Sequence, residues 1–232
     1  MSEHSFAQRV RGIAALDHPA TQAVYRLLGE RGEATRDEAA AALEVPRSVA
    51  AFHLDKLVDA GLAEVRSERR TGRSGPGAGR PAKVYRRAAE DVAVSLPERR
   101  YDLAGELLAE AVERSTTEGV PVERALHGAA TEAGRHLGTT ARTAAHADDA
   151  AARSDALLAV LEQHGYEPDR RGDEIVLVNC PFHVLAEQHR SLVCGMNLDL
   201  VNGVIDGIGG EDVITARLAP EPGSCCVRLR GA

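Results

Sequence analysis

The sequence predicts an α+β protein with three parts. Three short helical patterns and an arginine-rich hairpin pattern come first, two longer helical patterns follow, and a C-terminal α/β segment contains all four cysteines. Strand patterns in that last segment are separated by short turns, which favours a mostly antiparallel sheet. The predicted domain boundaries are 1–95, 96–150 and 151–232.

The N-terminal helices are predicted from their end signals. Asp17 can cap a first helix that ends at Gly32. Thr35 and Glu38 form the capping-box pattern of a second helix, and Pro46 suits the first turn of a third. The short turn between the second and third helices is typical of a helix-turn-helix, whose last helix lies in the DNA major groove.

The third helix is predicted to have one face towards the core and one towards DNA. The expected inward residues are Val49, Phe52, Leu54, Leu57 and Val58. The expected DNA-facing residues are Arg47, Ser48, Ala51, His53 and Lys56.

The hairpin after this helix is expected to be a wing, with strands over 62–67 and 82–87 and a tip over 71–79. Eight cations and two glutamates lie in it, although the formal net charge of the whole chain is −7. A local basic patch in an acidic chain indicates phosphate contact without indiscriminate binding. The candidate phosphate contacts are Arg66, Arg69, Arg70, Arg73, Arg80 and Lys83.

The remaining composition excludes several classes of protein. No apolar run is long enough to span a membrane and the N-terminus lacks a signal-peptide core, so we expect a cytoplasmic protein. In a reducing compartment, cysteines are more often ligands or redox sensors than disulfides. We expect no enzymatic activity, because no phosphate-binding loop or catalytic triad is recognisable. A thiol redox enzyme using Cys225 and Cys226 is disfavoured by the lack of a C-x-x-C motif.

Two amphipathic helices are predicted in the middle region, one from Pro97 and one over 122–145. The second has Leu and Ala residues at helical spacing along one face. Such a face can pair two subunits or pack within its own domain. We expect a homodimer, and therefore an operator in double-stranded DNA that is an inverted repeat.

The cysteines follow the pattern C-x2-H-x10-C-x30-C, formed by Cys180, His183, Cys194 and Cys225, with Cys226 as a substitute. Cys180 is expected at a strand end and His183 on the short helix that follows. Cys194 is expected to ionise easily in the first turn of a helix over 191–208, and a final strand is expected to contain Cys225. Such a ligand set suits Zn²⁺ or an iron–sulfur cluster. Core packing of the cysteines and a disulfide are the alternatives.

Two resemblances sharpen these expectations. The third helix and the hairpin resemble winged-helix regulators of the ArsR-like and MarR-like type. The residues that carry this resemblance are Val49, Phe52, His53, Leu54 and Leu57, then Gly61-Leu62, and finally the returning strand with Gly79-Arg80-Pro81 and Tyr85. The order of domains and the C-terminal cysteines are similar to the iron–sulfur-binding repressors of Suf operons, an ArsR-like branch. That resemblance implies a repressor whose cluster is held by Cys180, Cys194 and Cys225. His183, the long gap to Cys225 and the doubled cysteine depart from the pattern, so zinc remains the alternative.

Overall fold

The computed structural model describes residues 6–68, 81–89, 92–221 and 223–231. The chain forms two compact units, Met1–Val94 and Ser95–Ala232. The predicted α+β class is confirmed, with a helix-turn-helix first, helices next and an antiparallel sheet in the C-terminal region. None of the described helices is both long and apolar enough to cross a membrane.

The first unit packs its helices against a small antiparallel sheet of strand order β1-β3-β2. Strand β1 was not predicted, because three residues are too few to show an alternating pattern. The tip predicted over 71–79 lies outside the described residues. The described elements are α1 (Phe6–Ala15), α2 (Pro19–Arg31), β1 (Glu33–Thr35), α3 (Arg36–Leu43), α4 (Arg47–Asp59), β2 (Ala63–Glu68) and β3 (Ala82–Arg87).

Local end signals explain where these helices start. The predicted capping box of α3 is confirmed: the Thr35 hydroxyl accepts from the Glu38 N–H at 3.2 Å, and a Glu38 carboxylate oxygen accepts from the Thr35 N–H at 2.7 Å. The predicted cap of α2 was wrong by one residue. His18 takes the place of Asp17, and its Nδ1 accepts from the Ala20 N–H at 3.2 Å.

The second unit surrounds a four-stranded antiparallel sheet of order β4-β5-β7-β6. Helices α5 and α6 share one hydrophobic core with this sheet and with α9. The described elements are α5 (Tyr101–Glu118), α6 (Val122–Ala145), α7 (Ala150–Gln163), β4 (Pro168–Arg171), β5 (Glu174–Leu177), α8 (His183–Gln188), α9 (Arg190–Ile208), β6 (Ile214–Leu218) and β7 (Val227–Gly231).

Three details of this unit differ from the sequence-based expectation. Helix α5 starts at Tyr101 instead of at Pro97. Helix α9 starts at Arg190, so Cys194 lies in its second turn instead of its first. Strand β7 starts at Val227, which leaves Cys225 and Cys226 in the bend before it.

Helices α6 and α9 pack through glycines. A Cβ on Gly134 would lie 2.1 Å from the Leu200 carbonyl oxygen, and a Cβ on Gly203 would lie 2.2 Å from the Thr131 carbonyl oxygen. The two backbones therefore approach more closely than any side chain allows. The Leu/Ala face of α6, where we expected a subunit contact, includes Leu126 and Ala130, which are buried in the core of this unit. That face is covered by the chain itself.

Candidate DNA-binding surface and cysteine cluster

Helix α4 is rotated relative to the sequence-based expectation. His53, expected to face DNA, is 5% exposed, and its Nδ1 lies 2.9 Å from the Thr21 hydroxyl in a hydrogen bond. Burial is the main cause of a lowered His53 pKa, with further lowering by the charges of His18 and Lys56. Phe52, expected in the core, is 64% exposed. Leu54 and Leu57 are buried as expected. The His53 side chain therefore faces the core of the unit and hydrogen-bonds to α2, instead of facing outward as expected.

The other candidate DNA contacts on α4 differ in exposure and in whether they already form an ion pair. Arg47 is exposed, and its Nε donates to the Asp37 carboxylate at 2.6 Å. Ser48 is exposed, while Ala51 and Lys56 are half-buried. The outward face of α4 therefore includes Ser48, Phe52 and Lys56, and the Arg47 guanidinium is already paired with a carboxylate.

A polar triad fixes α4 to the wing strand β3. The Asp55 carboxylate accepts from Arg36 at 2.8 Å and from the Tyr85 hydroxyl at 2.7 Å. Burial raises the pKa of Asp55, but the hydrogen bonds from Arg36 and Tyr85 outweigh it, and the net shift is downward. Burial and the hydrogen bond to Asp55 raise the pKa of Tyr85 to about 12. This triad was not predicted from the sequence. The available signal was the polar character of Arg36, Asp55 and Tyr85 within predicted helices and a predicted strand.

The described wing cations are partly neutralised within the unit. Arg66 pairs with Glu33 at 2.7 Å and with Glu68 at 3.0 Å. Arg86 pairs with Glu64 at 2.7 Å. The ammonium group of Lys83 forms no hydrogen bond or ion pair among the described residues, and its charge contributes to lowering the pKa of Asp55. Lys83 is therefore the candidate phosphate contact in the described wing whose charge is not neutralised within the unit. The candidates Arg69, Arg70, Arg73 and Arg80 lie outside the described residues.

The four cysteines come together in the second unit. Cys180 follows β5, Cys194 lies on α9, and Cys225 and Cys226 precede β7; all four are buried and free of disulfides. The Cys225 N–H donates to the Leu177 carbonyl at 2.8 Å, which ties the segment before β7 to the end of β5. Cys225 interacts with Cys180 and with Cys226, and Cys194 interacts with Cys226. The thiols thus form a continuous chain of contacts.

These contacts favour the protonated thiols. The hydrogen bond with Cys225 and burial raise the pKa of Cys180 well above its usual range. The hydrogen bond with Cys180 lowers the pKa of Cys225, but the one with Cys226 and burial outweigh it and raise the pKa to about 11. Burial also raises the pKa of Cys194. The expectation that Cys194 ionises easily is therefore corrected, because burial outweighs the hydrogen bond with Cys226 and the charge of Arg190, which both lower its pKa.

The side chain of His183 is not buried with the cysteines. Its side chain is 53% exposed, and its Nε2 lies 3.4 Å from the Glu187 carboxylate. Cys226, expected only as a substitute, is buried among the other thiols and completes a set of four sulfur atoms. Cys226 is thus better placed than His183 to act as a fourth donor.

Two buried polar residues complete the cluster and were missed in the sequence. Asn197 donates from Nδ2 to the Cys225 sulfur at 3.2 Å, and its Oδ1 accepts from the Tyr166 hydroxyl. Burial, reinforced by the charges of Cys225, Cys180 and Cys226, raises the pKa of Tyr166. Asn197 falls three residues after Cys194 among apolar residues of α9, and a polar side chain in that stripe was the available signal.

The donor chemistry of the cluster matches a soft metal or an iron–sulfur cluster, since four thiols lie in one apolar environment. The arrangement is that of hydrogen-bonded pairs. Throughout the described ranges, no three Cys, His, Asp or Glu side chains converge as a group that could hold a metal ion. Metal binding would require the thiols to leave these pairs and lose their protons.

The loop containing Cys180 is fastened to the start of the second unit. The Arg100 N–H donates to the Pro181 carbonyl at 3.1 Å, and Arg99 donates to the Cys180 carbonyl at 3.2 Å. The buried Asn179 side chain donates to the Glu98 carbonyl at 2.9 Å. Residues 98–100 are therefore joined to this loop by backbone and side-chain hydrogen bonds.

Comparison with known proteins supports the assignment of the first unit. A family model described as a helix-turn-helix domain matches residues 16–66, which include α2, α3 and α4. No curated protein and no solved structure matches the chain. The chain therefore contains a helix-turn-helix domain, which supports a DNA-binding transcriptional regulator, a class that is usually not enzymatic.

Proposed function

We propose that this protein is a transcriptional repressor that binds double-stranded operator DNA as a homodimer and senses redox or metal status through its cysteine cluster. The observation that carries the sensing role is the burial of four thiols from three chain segments against one another. Four cysteines confined to one unit of a DNA-binding chain are hard to explain by core packing alone.

The bound group favoured here is an iron–sulfur cluster, in line with the resemblance to Suf-operon repressors. Cys180, Cys194 and Cys225 would hold it, with Cys226 as the best-placed fourth donor. Such a cluster supplies a centre that exchanges electrons and is lost when iron is scarce or oxidants are present. His183 could join only if its side chain turned away from Glu187.

The route from the cluster to DNA passes through residues 98–100. Ligation by Cys180 would change the conformation of its loop, and the hydrogen bonds from Arg99 and Arg100 would pass that change to the start of the second unit. The chain continues directly from there into the DNA-binding unit, because the units divide at Val94 and Ser95. Two-state switching of this kind couples a local bonding change to DNA affinity.

A zinc site with a different effector is the second candidate. It is favoured by the same four thiols, because a Cys₄ set is a common structural zinc site. Zinc would stabilise the second unit without responding to oxidants through its own electrons.

One purification separates the candidates. The full-length protein is purified without oxygen, and its visible spectrum and its iron, sulfide and zinc contents are measured. Visible charge-transfer bands with iron and sulfide support the cluster, and a colourless protein with zinc supports the alternative. DNA affinity is then compared before and after metal removal by a chelator. A metal-free protein whose DNA affinity never changes on treatment with iron and sulfide or with zinc contradicts both.

A further inference from the structure

The outward face of α4 has an apolar centre. Phe52 is 64% exposed, the largest exposed fraction among the described large apolar side chains of the first unit. Val49, one helical turn earlier, is 37% exposed, and Ser48 is also exposed. An aromatic ring in water on the helix expected to enter the major groove is unfavourable unless it becomes covered by a ligand.

Three charged groups on and beside α4 are already engaged. Asp55 accepts hydrogen bonds from Arg36 and Tyr85, and Arg47 is paired with Asp37. At the centre of this face, base reading therefore depends on the apolar side chains of Phe52 and Val49. In the major groove, the one apolar group on a base edge is the 5-methyl group of thymine.

The ring of Phe52 packs against the neighbouring His53 ring. It meets His53 edge-on, with ring centroids 5.1 Å apart, and His53 is fixed by its hydrogen bond to Thr21. A ring supported in this way loses little conformational entropy on binding.

DNA suits this surface better than a protein partner. Lys56 lies one turn after Phe52 on α4. The exposed Lys83 lies on β3, which the hydrogen bond from Tyr85 to Asp55 links to α4. Cations around an apolar centre complement a groove with phosphates at its walls and methyl groups at its floor.

We propose that Phe52, together with Val49, selects operator sequence by contacting thymine methyl groups in the major groove. This inference rests on the proposed DNA-binding function and adds the base that the surface recognises. Phe52 is thus a specificity-determining residue, and Lys83 contributes affinity without sequence preference.

The test starts from sites that the full-length protein selects from random double-stranded DNA. Each thymine in the selected half-site is then replaced singly by deoxyuridine, which removes the methyl group and keeps base pairing. For the unaltered protein, we expect one or two replacements to weaken binding roughly four-fold, the effect of losing one buried methyl contact. For Phe52→Ala, binding to the thymine site weakens and the same replacements have no further effect.

The control is Ile13→Ala, which removes another exposed apolar side chain of the same unit, 47% exposed on α1. It should keep the full difference between thymine and deoxyuridine. Selected sites without a constant thymine, or an equal methyl effect in Phe52→Ala and the unaltered protein, would overturn the inference alone. Failure to select any sequence, with or without metal, would overturn the proposed function as well. If Phe52→Ala weakens self-association and not the methyl effect, the ring contacts a second copy instead.

Discussion

Single side chains determine the chemistry of the cysteine cluster. Cys226 and His183 compete for the role of fourth donor, and their surroundings differ sharply: one is buried among thiols and the other is mostly exposed beside Glu187. A metal held in an apolar environment is bound more tightly by donors that are already there, because no side chain has to be ordered first.

Serine replacement tests this ranking. Cys180→Ser, Cys194→Ser and Cys225→Ser should each abolish metal retention, and Cys226→Ser should reduce it strongly. His183→Ala should leave metal content close to that of the unaltered protein. Metal analysis after anaerobic purification measures this, with circular dichroism to confirm folding. Full metal content in Cys226→Ser together with loss in His183→Ala would reverse the assignment.

His164 is a second residue whose surroundings predict a measurable effect. It is buried, its Nδ1 lies 2.8 Å from the Val160 carbonyl oxygen, and its Nε2 has no partner within the part of the chain that the structure describes. Burial lowers its pKa, helped by Arg100 and opposed by the Val160 carbonyl, Glu98 and Asp102. The folded unit therefore resists protonation of this ring.

The resulting pH dependence has a definite sign. As the pH falls below about 6.5, the unfolded chain binds a proton at this position before the folded unit does, so stability falls. His164→Gln should flatten that part of the profile by at most about 1.4 kcal/mol per pH unit. Urea unfolding at several pH values measures the slope. His136→Gln, at an exposed position on α6, is the control, and an unchanged slope in His164→Gln would contradict the prediction.

At the scale of elements, the cations of the wing differ in whether a carboxylate already neutralises them. Lys83 has no carboxylate partner among the described residues, whereas Arg66 has two. Binding to phosphate releases counterions, and a cation that already has partners contributes less to that release.

This difference can be measured from the dependence of DNA affinity on salt concentration. Lys83→Ala should reduce the slope of log affinity against log salt by about one unit, equally for all DNA sequences. Arg66→Ala should change the slope less. Arg70→Ala and Arg73→Ala, outside the described residues, should behave as Lys83→Ala does. Equal slopes in Lys83→Ala and the unaltered protein would show that this strand does not contact phosphates.

The packing of α6 against α9 is the element-scale feature most sensitive to mutation. A methyl group at Gly134 would lie 2.1 Å from a backbone carbonyl of α9, which no side-chain rotation can relieve. A methyl group at Gly105, on α5, would meet no described atom within 4 Å. Gly134→Ala should therefore destabilise the second unit by about 1–3 kcal/mol or more. Gly105→Ala should stabilise it by about 0.5–1 kcal/mol, because alanine favours helix. Thermal unfolding compares the two, and equal effects would contradict the close approach of the helices.

At the scale of the whole molecule, the expected dimer must use a surface other than the buried face of α6. Exposed apolar residues remain on the predicted helical region, among them Val112, which is 56% exposed on α5. A two-fold pair formed there would place two reading heads on an inverted repeat.

Light scattering should show a homodimer at micromolar concentration, with two chains bound per inverted repeat. Val112→Glu should shift the equilibrium towards monomer and weaken binding to the full repeat more than to a half-site. Leu218→Glu, at an exposed position on β6, is the matched control. A monomer bound one to one to its operator would refute the dimer.

Most of the helix and strand order could be predicted from the amino-acid sequence, because each signal was local. The capping box at Thr35 and Glu38 and the glycine after α5 act within a few residues, so α3 and the end of α5 could be placed without knowledge of the fold. The cysteines were also recognisable as a candidate site from their confinement to one segment.

The direction in which the decisive side chains face depends instead on tertiary contacts. His53 is buried because Thr21, far away in the sequence, offers it a hydrogen bond, and Phe52, at the preceding position of the same helix, is left exposed. The α6 face is covered because glycines on α9 allow the two backbones to meet. Cys226 joins the thiols because the bend before β7 is tied to the end of β5. Each outcome depends on contacts between distant segments, and hydrophobic periodicity defines a helix face without identifying its neighbour.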